Sequence, residues 1–97
     1  MPKGYWIAVY RSISDPSRVE EYARVSLPAI LAGGGRFLAR GVAARTFEGG
    51  GNERTVVIEF DSVAQAVATY EGPQYQAAVA LLEGAVAREI RIVEGAG

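Results

Sequence analysis

The sequence contains no cysteine and no histidine, and only one tryptophan and one methionine. Without cysteine there is no disulfide staple, no thiol nucleophile and no thiolate metal ligand. Without histidine there is no Ser-His-Asp triad and no histidine-bound zinc or haem. No metal or cofactor is expected. An excess of charge of one sign is also lacking: ten basic and eleven acidic residues give a formal net charge of −1, with no basic stripe along the chain. Nucleic acid and anionic membrane surfaces are therefore not expected as partners. Long apolar runs are scarce as well. The stretch Tyr5 to Tyr10 is too short for a secretory signal or a membrane span, so a cytoplasmic location is the default expectation. The clusters Gly33-Gly34-Gly35 and Gly49-Gly50-Gly51 do not fit a phosphate loop, because the first ends a helical pattern and enters a strand. They read as turns.

What is present is the composition of a globular domain, with 49% apolar residues. At 97 residues, one domain spanning residues 1–97 is expected. A chain this short buries only about two-thirds of its unfolded surface, and small cores of this kind are supplemented by disulfides, metals or partners. With the first two excluded, oligomerisation is the remedy left.

Tyr5-Trp6-Ile7-Ala8-Val9-Tyr10 reads as a first strand, rich in aromatic and β-branched residues. Asp15 and Pro16 open a helix in which Val19, Tyr22, Ala23, Ile30 and Leu31 share a face. Pro28 predicts a kink or a break within it. Arg36 to Phe47 reads as a second, irregular strand with a bulge at Gly41, followed by a glycine-rich hairpin loop at 48–53. Thr55 to Phe60 is the third strand. Ser62 with Gln65 forms a capping-box signature for a second helix, which Gly72-Pro73 interrupts. A further helix carries Tyr75, Ala78, Val79 and Leu82, and Glu89 to Glu94 is the last strand.

The order β-α-β-β-α-β is the ferredoxin-like split pattern, an α+β fold with one four-stranded antiparallel sheet. Right-handed crossovers place the helices on one face of that sheet. The first and third strands nevertheless carry apolar side chains at both parities: Trp6 and Ala8 against Ile7 and Val9, and Val56 and Ile58 against Val57. A strand with one wet face alternates instead. A second copy covering the open face, as a homodimer, is the economical explanation.

Five blocks then stand in order: Gly4-Tyr5-Trp6-Ile7-Ala8, Gly34 to Gly41, Val57-Ile58-Glu59-Phe60, Tyr75-Gln76-Ala77-Ala78 and Ile92-Val93-Glu94-Gly95. Together they resemble an uncharacterised, mainly bacterial family known as domain of unknown function 1330, of the dimeric α+β barrel superfamily. The resemblance covers nearly the whole chain. It implies a barrel of two sheets packed face to face, and a pocket between sheet and helices or inside the barrel. It implies no single reaction, since the superfamily includes cofactor-free monooxygenases, isomerases, haem-handling enzymes and plain binding dimers. Relatives often carry an arginine on the last helix where this chain has Leu82.

Four residues are candidates for a ligand site: Tyr22, Arg40, Glu59 and Tyr75. Glu59 interrupts an apolar run on the third strand, so it needs a partner or a raised pKa; it is the candidate catalytic base. A hairpin turning about the middle of its glycine loop pairs positions whose numbers sum to about 101, which sets Glu59 opposite Val42 and diagonal to Arg40. The alternative is a structural Arg–Glu pair. Arg36, Arg40 and Arg54 have the guanidinium fork that suits a carboxylate or phosphate, with Arg40 inside one of the family-like blocks. Tyr22 and Tyr75 sit on apolar helical stripes, either aiming phenols at a ligand or simply filling the core. Trp6, Tyr10 and Tyr70 share that ambiguity. Three functions follow: binding of a small organic molecule, a cofactor-free isomerase or oxygenase, or a dimer with a purely structural role.

Overall fold

Side-chain alternation sets the sheet. A computed structural model describes residues 2–51 and 53–97. Four strands, β1 (Gly4–Ile13), β2 (Arg36–Val42), β3 (Arg54–Phe60) and β4 (Val86–Glu94), form one sheet in the order β2-β3-β1-β4. All three pairings are antiparallel. The helices are α1 (Pro16–Ala32), α2 (Val63–Glu71) and α3 (Pro73–Ala80). This is the ferredoxin-like α+β arrangement read from the sequence.

Trp6, Ala8 and Tyr10 of β1 pack inward with Val56, Ile58 and Phe60 of β3, all under 9% exposed. Ile90 and Ile92 of β4 complete that face. Trp6 is the hub, with ring contacts to Phe60, Tyr70 and Tyr75 at centroid separations of 5.9, 5.5 and 4.8 Å. Each fully buried side chain of this size contributes about 1.5–3 kcal/mol. At the other end of the strand, a Cβ on Gly4 would sit 2.6 Å from the Ser62 carbonyl oxygen. Only glycine lets β1 run that close to the start of α2.

The helices follow their local signals. Ser62 caps α2 by accepting the Gln65 N–H at 3.1 Å. The Gln65 side chain does not complete a capping box; its Nε2 donates to the Gly33 carbonyl at 2.7 Å and ties α2 to the end of α1. Asp15 stands at the N-cap of α1, but its carboxylate accepts the Ser17 hydroxyl rather than capping a backbone N–H. The expected break at Pro28 does not occur, and α1 is one continuous helix. Pro28 and Arg24, whose carbonyl loses its helical donor, both lie on the exposed side, where water can replace the bond. Leu31, expected on the buried stripe, is 54% exposed, and Ser26 and Ala29 are buried instead.

The second strand is shorter than expected. It ends at Val42, and the connection to β3 begins at residue 43, with Phe47 exposed. The register therefore moves. Arg36 pairs with Glu59 and Arg40 with Val56, with an irregularity between Phe37 and Ala39. The expected Glu59–Val42 pairing is overturned, because the turn is made by a longer loop than the glycine cluster alone. Among the described residues, no helix is long and apolar enough to cross a membrane.

Candidate functional site

The altered register separates the sequence-derived candidates. Glu59 shares its parity with Tyr5, its partner on β1, and lies on the sheet face away from the helices. There the Tyr5 hydroxyl donates to Oε2 at 2.9 Å, and Arg36 Nε donates to Oε1 at 3.0 Å. Arg36 also reaches Asp61 at 3.1 Å, and Lys3 reaches the same carboxylate at 3.1 Å. The Tyr5 hydrogen bond, then Arg36, hold the Glu59 carboxyl below its ordinary pKa. Lys3, and then Arg36, do the same for Asp61. Glu59 is thus one member of an ionic ladder. Arg40 pairs with Val56 on the opposite, helix-facing side, and its guanidinium lies 5.0 Å from the Phe37 ring centre. The expected Glu59–Arg40 partnership is not formed.

A cleft lies between α1 and the sheet. Tyr22, Ser26 and Ile30 of α1 face Trp6, Ala8 and Ile58 of the sheet across it. Trp6, Ala8, Val56, Ile58 and Ile30 supply apolar walls, while Tyr10, Tyr22, Arg40, Arg54 and Arg88 supply the polar groups. Its volume is about 40 Å³, enough for roughly three waters. Small-molecule pockets are usually about 300–1,000 Å³, so an organic guest requires the side chains at the rim to move. Exposed Arg40 and Leu27 stand on that rim.

Polar groups from four elements converge at the inner end. The hydroxyls of Tyr22 on α1 and Tyr75 on α3 hydrogen-bond each other at 2.5 Å. Arg88 of β4 donates through Nη1 to Tyr10 at 3.1 Å and to Tyr22 at 3.2 Å, and through Nη2 to Tyr75 at 3.3 Å. Its guanidinium also lies against the Tyr10 and Tyr22 rings, at 5.4 and 4.9 Å from their centres. Burial opposes the Arg88 charge, but Tyr22 and Tyr75 outweigh it and keep its pKa above the ordinary arginine value. Burial, then Tyr22, push the Tyr75 phenol well above its usual pKa, and burial does the same for Tyr10.

Three of the four candidates therefore lie at this cleft: Tyr22 and Arg40 in its wall, and Tyr75 behind Tyr22. Glu59 does not. The sequence reading also missed Arg88, since it began the last strand at Glu89. Period-two alternation back from Ile92 and Ile90 reaches Arg88 on the same inward face, a signal that was available. Among the described residues, the cleft lining holds no carboxylate, imidazole or amine. Among the described residues, no group of three or more Asp and Glu side chains converges to hold a metal ion.

Comparison with known proteins agrees with this architecture. A protein of unknown function from Rhodopseudomonas palustris, RPA0582, is similar with a TM-score of 0.77 and 19% identity, over 99% of this chain and 84% of that one. A dimeric ferredoxin-like protein of unknown function from Thermobifida fusca YX is similar with a TM-score of 0.67 and 22% identity, over 96% and 91%. SnoaB, a cofactor-independent oxygenase from Streptomyces nogalater, also has a TM-score of 0.67, with 10% identity over 96% and 92%. Identities this low show a shared fold and nothing finer. No curated protein matches the chain. Residues 3–96 match the model for the domain of unknown function DUF1330, and the chain belongs to that family.

Proposed function

We propose that this protein is a homodimer that binds a small organic molecule with an apolar body in the cleft between α1 and the sheet. One observation carries the reading. Arg88 and the hydroxyls of Tyr10 and Tyr22, with Tyr75 behind them, converge at the inner end of a cleft with apolar walls and with Arg40 and Arg54 also in its lining. A few convergent polar groups in an apolar concavity are the usual make-up of a small-molecule site. The homodimer reading rests on the sheet face away from the helices. Ile7 and Val57 there are only part-buried, while Val9 and Val93 are 38% and 44% exposed. Similar solved structures with this fold are described as dimeric.

Trp6 lines the cleft and is the only tryptophan, so its emission reports occupancy. A library of small aromatic and aliphatic compounds is expected to yield saturable quenching by at least one member. Ala23→Leu, which extends a side chain into the cleft, is expected to abolish it. Quenching that never saturates, or that survives Ala23→Leu, overturns the proposal.

A second reading, a cofactor-free enzyme, is favoured by the Tyr22–Tyr75–Arg88 cluster. Neutral phenols and a guanidinium stabilise an oxyanion that develops on a bound molecule. Since the lining offers no carboxylate, imidazole or amine base, the chemistry would depend on a substrate acidic enough to lose its own proton. This reading therefore points away from base-catalysed isomerisation and toward oxygenation of an acidic substrate. Turnover of such a compound by the protein alone, lost in Arg88→Gln, is its test.

A further inference from the structure

Arg88 raises a question that the neighbouring phenols do not answer. It is half-buried, it is charged, and among the described residues no carboxylate lies within ion-pair distance of it. The same holds for Arg40 and Arg54, which line the same cleft. By contrast, every acidic group in the ion pairs found, namely Asp15, Glu59, Asp61 and Glu89, is paired elsewhere. Three arginines without counter-ions around one cleft make it electropositive, against a chain whose net charge is −1. Partly burying a cation costs free energy unless something compensates.

The donor inventory sharpens the point. A guanidinium carries five N–H groups. Three of them on Arg88 are taken by Tyr10, Tyr22 and Tyr75, which leaves two, the Nε–H among them. Nε has no partner, and no buried side-chain nitrogen or oxygen among the described residues lacks one, so Nε is accessible rather than sealed in packed protein; the other unspent N–H is on the neighbouring Nη2. Two adjacent N–H groups are what one carboxylate takes in a bidentate pair.

We infer that the ligand of this cleft is an organic carboxylate, its charged end held by the unspent N–H groups of Arg88 and its apolar body lying along Trp6, Ala8, Val56 and Ile58, with Arg40 and Arg54 at the rim. The inference rests on the cleft-binding reading above and narrows it to a substrate class. A single negative charge fits better than a phosphate dianion, because the apolar walls offer a second charge no solvation. The three phenols hold the guanidinium in place before the ligand arrives, so little side-chain entropy is lost on binding. Arg88 also borders two further grooves beside Tyr70, one with Ile90 and Ile92 and one with Val79 and Val86. Arg40 and Arg54 line the cleft and neither of those grooves, so they report whether the cleft is used.

The experiment is calorimetric titration with matched acid and amide pairs of one shape: benzoate with benzamide, 2-naphthoate with 2-naphthamide, and hexanoate with hexanamide. The expected result is that at least one acid binds about tenfold or more tightly than its amide, as a charge-assisted bidentate pair requires. Arg88→Gln is expected to erase that preference, and Arg40→Gln with Arg54→Gln to reduce it. A thermal melt establishes that Arg88→Gln is folded, and if it is not, the two rim variants carry the test. Amides that bind as tightly as their acids overturn the carboxylate assignment and leave the cleft reading standing. An acid preference indifferent to the rim variants moves the site to one of the grooves beside Tyr70 and overturns the inference. Absence of binding by both members of every pair overturns the carboxylate assignment. If the wider library gives no saturable Trp6 quenching either, the cleft reading falls with it.

Discussion

Tyr22 and Tyr75 lie 53 residues apart in the chain and meet hydroxyl to hydroxyl at 2.5 Å, with Arg88 donating to both. This contact joins α1 to α3 across the inner end of the cleft. Tyr75 has no exposed surface, so Tyr75→Phe leaves its neighbours short of a partner where little water can replace it. A loss of about 1–3 kcal/mol is expected, read by urea denaturation. Tyr22→Phe added to Tyr75→Phe should cost clearly less than the sum of the two single changes, since both remove one bond. Additive losses would show that the two hydroxyls act independently.

Arg88→Met is expected to behave differently. It removes a partly desolvated cation that has no anionic partner and keeps most of the packing volume. A change of no more than about 1–2 kcal/mol is expected, because removing the unpaired cation offsets the loss of its hydrogen bonds to Tyr10, Tyr22 and Tyr75. A loss of several kcal/mol would instead make Arg88 a structural keystone.

Acid should weaken the fold through the ladder on the opposite sheet face. Glu59 and Asp61 have folded pKa values below their ordinary 4.5 and 3.8. Groups lowered in this way contribute stability that is present above the unfolded value and lost as pH falls through the folded one. The midpoint of thermal unfolding should therefore drop as pH falls from about 5 toward 2, with a shallower slope in Glu59→Gln. Equal slopes would remove Glu59 from the account.

The alkaline limb has the opposite origin. Tyr5, Tyr10 and Tyr75 are raised above the usual 10.0, Tyr5 by its bond to Glu59 and the other two chiefly by burial. Their neutral forms belong to the folded state, so their contribution is complete below pH 10.0 and is lost as pH rises beyond it. Ultraviolet titration should show phenolate absorbance appearing together with loss of the fold. Full ionisation of all five tyrosines in a still-folded protein would contradict this.

The dimer has a test of its own. Ile7→Glu places a charge in the middle of the sheet face away from the helices. Sedimentation at about 10 μM should then show a monomer where the parent sediments as a dimer, since an unpaired charge in such an interface costs several kcal/mol. A monomeric parent at that concentration would remove the homodimer from the proposal.

Much of the fold was legible because local signals agreed with one another. The two-faced strands, the Ser62 cap and the Gly33 to Gly35 stop all point to the same element order. The hairpin register was not legible. Residues 43–47 continue a strand-like composition with Thr46 and Phe47, yet the strand ends at Val42, and composition says nothing about where a ladder stops. That one error put Glu59 and Arg40 on one face when they lie on opposite ones, because strand side chains alternate with a period of two. Tyr22 and Tyr75 could be found because both begin or continue an apolar helical stripe. Arg88 was hidden by an underestimate of the length of the last strand, not by any ambiguity in its own chemistry.

The moorings of α1 have a mechanical consequence. Near its start, Ser14 bonds the Ala85 carbonyl and Arg18 the Glu83 carbonyl. Past its end, Gly35 bonds the Ile30 carbonyl and Gln65 the Gly33 carbonyl. The helix is a beam clamped at both ends and bolted once near its middle, at Tyr22. Such a beam resists being lifted like a lid, so a molecule bound as proposed would enter sideways, between Leu27 on the beam and Phe37 and Arg40 on the edge strand.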